Sequence, residues 1–125
     1  MILGIGTDLA VIARVEKAIT RHGERFARRI LTDIELERYQ GHPHPAAFLA
    51  KRFAAKEATA KALGTGIGRI SWQDMSVGHT STGAPVMTLL GAAAEHVAQH
   101  SNVVCHLSIT DDGGLAQAFV VLETR

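Results

Sequence analysis

A segment of 13 residues, Arg52 to Gly64, brings together residue types that bind phosphate and a divalent metal. It reads RFAAKEATAKALG, with three cations and one carboxylate set among alanines. At about 3.6 residues per turn, Arg52 lies one turn before Lys56, and Glu57 lies one turn before Lys61. An arginine fork and lysine point charges suit phosphate, and a carboxylate oxygen suits magnesium. The segment therefore indicates a helix that holds phosphates and a metal, with a solvated basic face as the alternative.

The same charges also have plain structural explanations. Glu57 could pair with Lys61 on a solvent-facing surface, a contact worth about 0.3–0.5 kcal/mol. Arg52 and Lys56 carry the same sign and repel slightly across one turn, so they cost helix stability unless an anion neutralises them. The sequence leaves open whether such an anion is present.

Asp8 is a second acid that could join a metal site. It ends the strand-like run from Ile2, in which two glycines allow another segment to approach closely. Magnesium typically takes one or two protein carboxylates and fills its other positions with water and substrate phosphate, so Asp8 and Glu57 together would suit it. Aspartate is also among the best helix N-caps, and the residues alone favour a cap for the helix that follows.

A basic stripe lies near the start of the chain. Its members recur at spacings of three or four residues and are Arg14, Lys17, Arg21, Arg25 and Arg28. Such a stripe could dock an acidic protein surface, nucleic acid or anionic lipid, and a solvated helix face is the alternative for each residue. No aromatic residue interleaves it, which weakens a single-stranded nucleic-acid interpretation.

The chain contains seven histidines, but their spacing does not favour zinc. His96 and His100 are four residues apart, yet no glutamate follows His96 as it would in a zinc-hydrolase helix. His106 interrupts an apolar strand-like run beside Ser108. It is either a hydrogen-bonded core histidine or a pocket residue that contacts an anion, and the residues alone favour the core.

The composition is that of one folded domain. With 125 residues, 46% hydrophobic and 20% charged, the chain can bury a core, and a net charge of +1 excludes no class of partner. The single cysteine, Cys105, rules out an internal disulfide framework, fits a reducing compartment, and lies in an apolar run typical of a packed thiol. The start lacks a secretory signal, and no apolar run approaches the roughly 20 residues of a membrane span. We therefore expect a cytoplasmic protein.

The order of elements predicts a single α+β domain spanning residues 1–125. One strand is followed by helices and then mostly by strands, which favours helices packed on a mainly antiparallel sheet. A capping box from Thr32 to Glu35 predicts a helix start, and Asp111 to Gly114 predicts a hairpin turn. The predicted elements are strand 2–8, a helical pattern over 12–30 broken at Gly23, a helix from 32, helix 45–63 capped by Gly64, strands 70–77 and 85–90, helix 91–100, and strands 103–110 and 115–122.

Several motifs recur together along nearly the whole chain. The most specific is Lys-Glu-Ala-x-x-Lys-Ala at 56–62, with an aspartate upstream at a strand end. The matching segments are Ile5–Leu9, Arg52–Ala58, Lys61–Gly66, Trp72–Met75, Gly83–Pro85, His106–Asp112 and Ala118–Val120. In these segments and their order, the chain resembles the bacterial holo-[acyl-carrier-protein] synthases, which are small, single-domain 4'-phosphopantetheinyl transferases.

The resemblance implies an enzyme that moves the phosphopantetheine arm of coenzyme A onto a serine of apo acyl-carrier protein, releasing adenosine 3',5'-bisphosphate. It implies the α+β fold of that family, magnesium as the metal, and a homotrimer with its sites at subunit interfaces. Neither nucleic acid nor a membrane is an implied partner. The residues carried over are Asp8 and Glu57 for magnesium, both with Lys61 for catalysis, Arg52, Lys56, Lys61 and His106 for coenzyme A, and Arg14 and Arg21 for the acidic carrier protein.

This reaction has requirements that those residue types can meet. Breaking a pyrophosphate needs neutralisation of charge on the bridging and leaving oxygens, and in-line placement of the serine hydroxyl. Lys61 would stabilise or protonate the departing phosphate, and either a metal-polarised water or Glu57 would accept the serine proton. The alternative is a non-catalytic module that binds a nucleotide or an acidic partner through its basic faces.

Overall fold

The computed structural model describes residues 1–125, and its second half is richer in strands than its first. A short 3-10 turn, Trp72–Asp74, precedes the second strand. The elements in chain order are β1 (Ile2–Val11), α1 (Ile12–His22), α2 (Glu24–Ile30), α3 (Asp33–Tyr39), α4 (Pro45–Leu63), β2 (Met75–His79), β3 (Pro85–Leu89), α5 (Gly91–His96), β4 (Val103–Asp112) and β5 (Leu115–Thr124).

The strands form two antiparallel sheets. The larger sheet has the order β1-β5-β4, and β2 pairs with β3 in a separate two-stranded sheet. The turn between β4 and β5 contains Gly113 and Gly114 at φ of 57° and 79°, a conformation that favours glycine. The predicted α+β class, with helices on a mainly antiparallel sheet, is confirmed, and so is the hairpin.

Helix α4 is the centre of the domain. Of its 19 residues, 13 are buried, because the helix crosses one face of the larger sheet and other elements cover its remaining sides. Its alanines let the neighbouring elements come close. The solvated-face explanation of the 52–64 segment is therefore wrong for Arg52 and Lys56, which are buried, whereas Lys61 is exposed. No helix, α4 included, combines the length and the apolar character that a membrane crossing needs.

Two glycines allow β1 to lie directly against α4. A Cβ added to Gly4 would lie 2.0 Å from the Ala62 carbonyl oxygen, and one added to Gly6 would lie 1.9 Å from the Ala58 carbonyl oxygen. Both obstacles are backbone atoms of a buried helix, which cannot move away cheaply. Because alternate strand residues share a face, Asp8 points to the same side as these glycines. The close packing therefore brings the Asp8 carboxyl to α4.

Strong local signals in the sequence are confirmed. Helix α4 spans the predicted residues, Pro45 is its first residue, and Gly64 ends it at a φ of 79°. The capping box at the start of α3 forms as predicted, with Thr32 and Glu35 bonding reciprocally.

Three local predictions are wrong. Residues 70–77 do not form one strand, because Ser71 and Asp74 cap each other's backbone and fold the intervening residues into the 3-10 turn. Helix α5 ends at His96, after which the turn bonds from Ala98 to Glu95 and from His100 to Val97 replace helical ones.

The third error concerns Asp8. Strand β1 continues through Val11, and Asp8 pairs with Ala118 inside the sheet. Val11 is the N-cap of α1 and makes no side-chain capping bond. The Asp8 carboxyl is therefore not a helix cap and is available for another role.

The close packing of β1 on α4 predicts that Gly6→Ala is strongly destabilising. Overpacking costs about 1–3 kcal/mol, and a backbone obstacle places Gly6 at the upper end of that range. Gly78→Ala is the matched control, since its Cβ would meet nothing within 4 Å. Urea unfolding should show a loss of about 3 kcal/mol for Gly6→Ala and less than about 1 kcal/mol for Gly78→Ala. Equal stabilities would contradict this packing.

Candidate active site

Asp8, Glu57 and Lys61 meet where β1 crosses α4. The Lys61 ammonium donates a hydrogen bond to the Thr7 carbonyl oxygen at 2.8 Å, and its Nζ lies 3.3 Å from Asp8 Oδ1. The Asp8 side chain is 17% exposed and that of Lys61 is 55% exposed, so the pair lies at the rim of the core. Lys61 therefore pairs with Asp8 across two elements, and it forms no salt bridge with Glu57 on its own helix.

The Glu57 carboxyl is half-buried beside Asp8. Burial raises its pKa above the ordinary 4.5, and the negative charge of Asp8 raises it further, while Lys61 and the indole N–H of Trp72 act in the opposite direction. Trp72 Nε1 is buried, and its N–H favours the charged form of Glu57. Because these two carboxylates repel each other, a cation bound between them would be stabilised.

The donor set at this point fits magnesium. Two carboxylates from different elements, at the edge of the core, leave room for waters and phosphate oxygens, which magnesium retains or recruits. Nowhere in the chain do three or more histidine, cysteine, aspartate or glutamate side chains gather in a way that could hold a metal. Any ion at Asp8 and Glu57 would therefore take its remaining ligands from solvent or substrate.

Lys56 lies in the core and not at this site. Its side chain is fully buried, and its ammonium donates to the Ile30 carbonyl oxygen and to Glu35 Oε1, both at 2.5 Å. Burial lowers the pKa of Lys56, and the Glu35 carboxylate opposes that shift. An ammonium with 0% exposure does not reach a ligand on the surface. The expectation that Lys56 contacts coenzyme A is corrected accordingly.

Arg52 lies in the wall of a separate cleft of about 420 Å³. Its side chain is 4% exposed, its Nε is 3.3 Å from Glu35 Oε2, and its guanidinium carbon lies 4.4 Å from the centroid of the Phe48 ring. Nε and Nη2 are buried and have no hydrogen-bond partner. Buried N–H groups without partners are costly, and Nη1 is the guanidinium nitrogen left to face the cleft.

The rest of that cleft is predominantly basic. Lys51 and Asp111 are a loose pair at 3.6 Å. Burial and the positive charges of Arg52, Arg38 and Lys51 lower the pKa of His79, which therefore favours the neutral form in the absence of an anion. The lining residues are Arg38, His42, Phe48, Lys51, Arg52, His79, Gly83, Pro85, Ile109 and Asp111.

His106 lies on the opposite face of the larger sheet from Asp8. In β4 its neighbours Cys105 and Leu107 are partly buried and pack against the core, whereas the His106 side chain is 47% exposed and bonds Glu123 Oε1 at 2.9 Å. The core interpretation of His106 is therefore wrong. A single copy of the chain does not bring His106 together with Asp8 and Glu57.

Arg14 and Arg21 are exposed on α1, as the stripe predicts. Gly23 ends that helix, with its N–H bonded to the Ile19 carbonyl oxygen, so the stripe continues on a second helix axis. Arg28 on α2 pairs with Glu24 at 2.8 Å. The basic surface on α1, which includes Arg14 and Arg21, is therefore separate from the arginines of α2.

Sequence reasoning missed Glu35 as a charged core residue. The sequence signal, Thr-x-x-Glu, assigns Glu35 to a capping box, and the same carboxylate also receives Lys56 and lies beside Arg52. It is the anion that lies against both cations on α4 and neutralises one of their two charges. Arg38, Lys51 and His79 were also missed, because nothing in their spacing links them to Arg52.

The chain belongs to the 4'-phosphopantetheinyl transferase superfamily, whose family model matches residues 4–118. It is 53% identical to the holo-[acyl-carrier-protein] synthase of Vibrio cholerae serotype O1, over 100% of both chains. Its fold matches the crystal structure of that synthase from Neisseria meningitidis, with a TM-score of 0.90, 41% identity, and coverage of 99% and 100% of the two chains. A third relative, the Helicobacter pylori synthase in complex with coenzyme A, matches with a TM-score of 0.82 and 33% identity, over 95% of this chain and 99% of that one.

The raised pKa of Glu57 predicts that Glu57→Gln stabilises the metal-free protein at neutral pH. The folded wild type holds the Glu57 proton more tightly than the unfolded chain does, so its stability falls as pH rises from about 4.5 through the raised pKa. Thermal unfolding in a chelator should show a higher Tm for the variant at pH 7 and a similar Tm at pH 4. Glu37→Gln, at an exposed position on α3, should match the wild type at both pH values. A lower Tm for Glu57→Gln at pH 7 would show that the carboxylate is stabilising.

Proposed function

We propose that this chain transfers the 4'-phosphopantetheine group of coenzyme A to a serine of apo acyl-carrier protein, with magnesium held by Asp8 and Glu57. The products are holo acyl-carrier protein and adenosine 3',5'-bisphosphate. The observation that carries the proposal is the meeting of Asp8, Glu57 and Lys61 where two glycines let β1 contact α4. Membership of the superfamily and the full-length similarity to holo-[acyl-carrier-protein] synthases support it.

The site residues match the demands of pyrophosphate cleavage. When bound, magnesium would neutralise negative charge on the pyrophosphate. Lys61, whose ammonium stands at the rim and is held by Asp8 and the Thr7 carbonyl, presents its charge to the departing phosphate. Because Asp8 and Glu57 come from different elements, the site depends on the packing of β1 against α4 and not on a flexible loop.

Arg52 supplies the contact for a phosphate of coenzyme A in the basic cleft. Its planar fork suits a phosphate group, and Nη1 is the nitrogen of that fork left to face the cleft. Arg38 and Lys51 add positive charge in the same cleft. The nucleotide end of coenzyme A carries the phosphates that such a cleft would select.

The outer face of the larger sheet supports a homotrimer with its sites between subunits. This face, opposite α4, leaves large apolar side chains exposed, with Ile5 at 63% and Phe119 at 48%. Contiguous exposed apolar surface of this kind is typical of an interface. His106 lies on the same face, so assembly through this face would place His106 at the interface between subunits. The apolar members of this outer face are Ile5, Leu9, Leu115 and Phe119.

The exposed arginines of α1 would receive the carrier protein. Arg14 and Arg21 present positive charge to solvent, and electrostatic attraction of this kind speeds the encounter with an acidic partner. The lone cysteine supports a cytoplasmic location, because it fits a reducing compartment.

The direct test of this function is the intact mass of apo acyl-carrier protein after incubation with the chain, coenzyme A and magnesium. Transfer adds the phosphopantetheine arm, so the carrier mass should increase by that group only when all components are present. An unmodified carrier, together with binding of coenzyme A, would instead identify a non-catalytic binding module.

Glu57→Gln should abolish this transfer while the fold stays intact. Losing one of two carboxylates removes several kcal/mol of charge stabilisation, so we expect the rate to fall by at least about 100-fold. Isothermal calorimetry should show weaker magnesium binding by the variant, and Glu37→Gln should behave as the wild type. Near-normal transfer by Glu57→Gln would refute the metal assignment.

Phe119→Glu should dissociate the proposed homotrimer. A charge on the outer face would be desolvated in the interface without a partner, whereas Ile34→Glu, at a position 71% exposed on α3, is the matched control. Sedimentation velocity should give a trimer for the wild type and the control and a smaller species for Phe119→Glu. A monomeric wild type would contradict the assembly.

A further inference from the structure

We infer that Glu35 and Lys56 are positioning residues for coenzyme A binding, acting through Arg52. Neither touches the ligand. Together they hold the Arg52 guanidinium in the wall of the cleft and leave its positive charge and the N–H groups of Nη1 for phosphate. The inference rests on the proposed function, since it assigns the nucleotide end of coenzyme A to the Arg52 cleft.

The Glu35 carboxylate is fixed from three sides. It is fully buried and sits in the first turn of α3. Oε1 accepts from the Thr32 backbone N–H at 2.9 Å, from the Thr32 hydroxyl at 3.2 Å and from the Lys56 ammonium at 2.5 Å, and Oε2 accepts from the Val77 backbone N–H at 2.9 Å. The carboxylate thus ties α3, α4 and β2 together and has little freedom to move.

Lys56 and Arg52 share this one carboxylate unequally. Lys56 makes the short hydrogen bond, whereas Arg52 Nε is 3.3 Å from Oε2 and makes no hydrogen bond. With Lys56 and three backbone or hydroxyl groups on its oxygens, Glu35 attracts Arg52 but does not form a hydrogen bond with it. Two cations and one anion leave one net positive charge in the buried set, and the cleft is the direction from which an anion can reach Arg52.

Arg52 has the geometry of a preorganised phosphate contact. Its guanidinium carbon lies 4.4 Å from the centroid of the Phe48 ring, a cation–π contact that helps to hold the side chain in the cleft wall. Nε and Nη2 are both buried and without partners. Nη1 is the nitrogen of the fork that is neither buried nor hydrogen-bonded, so a phosphate in the cleft can accept from Nη1 and neutralise the remaining charge.

The arrangement gives the buried Lys56 a role in ligand binding, although Lys56 does not contact the ligand. Without Lys56, the Glu35 carboxylate would have Arg52 as its only cationic partner. Arg52 would then be neutralised by the protein and lost to the phosphate. Lys56 therefore competes for Glu35 and keeps Arg52 available.

The test compares the wild type with Glu35→Gln in the magnesium-dependent transfer assay. We expect the KM for coenzyme A and the Kd for adenosine 3',5'-bisphosphate, measured by calorimetry, to rise at least about tenfold, with kcat at saturating coenzyme A within about twofold. Glu37→Gln, an exposed acid on the same helix, should leave all three values unchanged. A purely structural Glu35 would lower Tm and leave KM and Kd at their wild-type values, which would overturn the inference.

A double-mutant cycle tests whether Glu35 acts through Arg52. Arg52→Met should raise the Kd on its own, and adding Glu35→Gln to it should cause no further increase. Additive losses would overturn the inference. Lys56→Met should also raise the Kd, although the Lys56 side chain is fully buried.

Two measurements keep the test decisive if Glu35→Gln does not fold. The Glu35→Gln/Lys56→Met double variant removes both charges of the pair, leaves no unpaired ammonium, and should show the same rise in Kd. In the wild type, the NMR signal of the Arg52 Nε–H should shift when adenosine 3',5'-bisphosphate is added, and an unchanged signal would overturn the inference. Failure of the wild type to modify the carrier would count against the proposed function, whereas wild-type binding by Glu35→Gln would count against this inference alone.

Discussion

The buried carboxylate of Glu35 is the interaction on which the arrangement of this domain depends. Two cations on α4, Arg52 and Lys56, lie one turn apart in the core, where their mutual repulsion is least screened. Glu35 neutralises one charge and also caps α3 and holds β2, so one side chain sets the relative positions of three elements. Removing it would leave buried charge without compensation, which is among the most destabilising changes that a core can suffer.

A steric constraint on the other side of α4 complements this electrostatic one. Gly4 and Gly6 bring β1 so close to α4 that a methyl group would overlap the Ala58 and Ala62 carbonyl oxygens. Because side chains alternate between the two faces of β1, Asp8 points to the same side as these glycines and lies beside Glu57. Helix α4 thus contributes to two sites. Its Glu57 and Lys61 lie beside Asp8 at the contact with β1, and its Arg52 lies in the basic cleft. The buried alanines between them let the helix contact both neighbours at once.

Local sequence signals predicted the elements well because their physical causes are local. The Thr32 capping box, the Gly64 end of α4 and the glycine turn after β4 each depend on a few adjacent residues. The prediction of a strand over 70–77 failed where Ser71 and Asp74 offered the backbone alternative hydrogen bonds. Asp8 was misassigned as a cap because pairing of β1 with β5 is set by residues more than 100 positions away.

The sequence by itself determined the class of the domain, the extent of α4, and the residue types of the site, since periodicity, caps and motif spacing are written in neighbouring residues. Only the tertiary structure decided which of those charges face a ligand. Lys56 and Arg52 are both cations on α4 that the sequence does not distinguish. The Lys56 ammonium donates a hydrogen bond to Glu35 in the core, whereas Arg52 lies in the wall of a cleft and has N–H groups without partners. The physical reason is that burial and pairing depend on contacts from distant segments, and no spacing within α4 encodes the position of α3 or of the sheet.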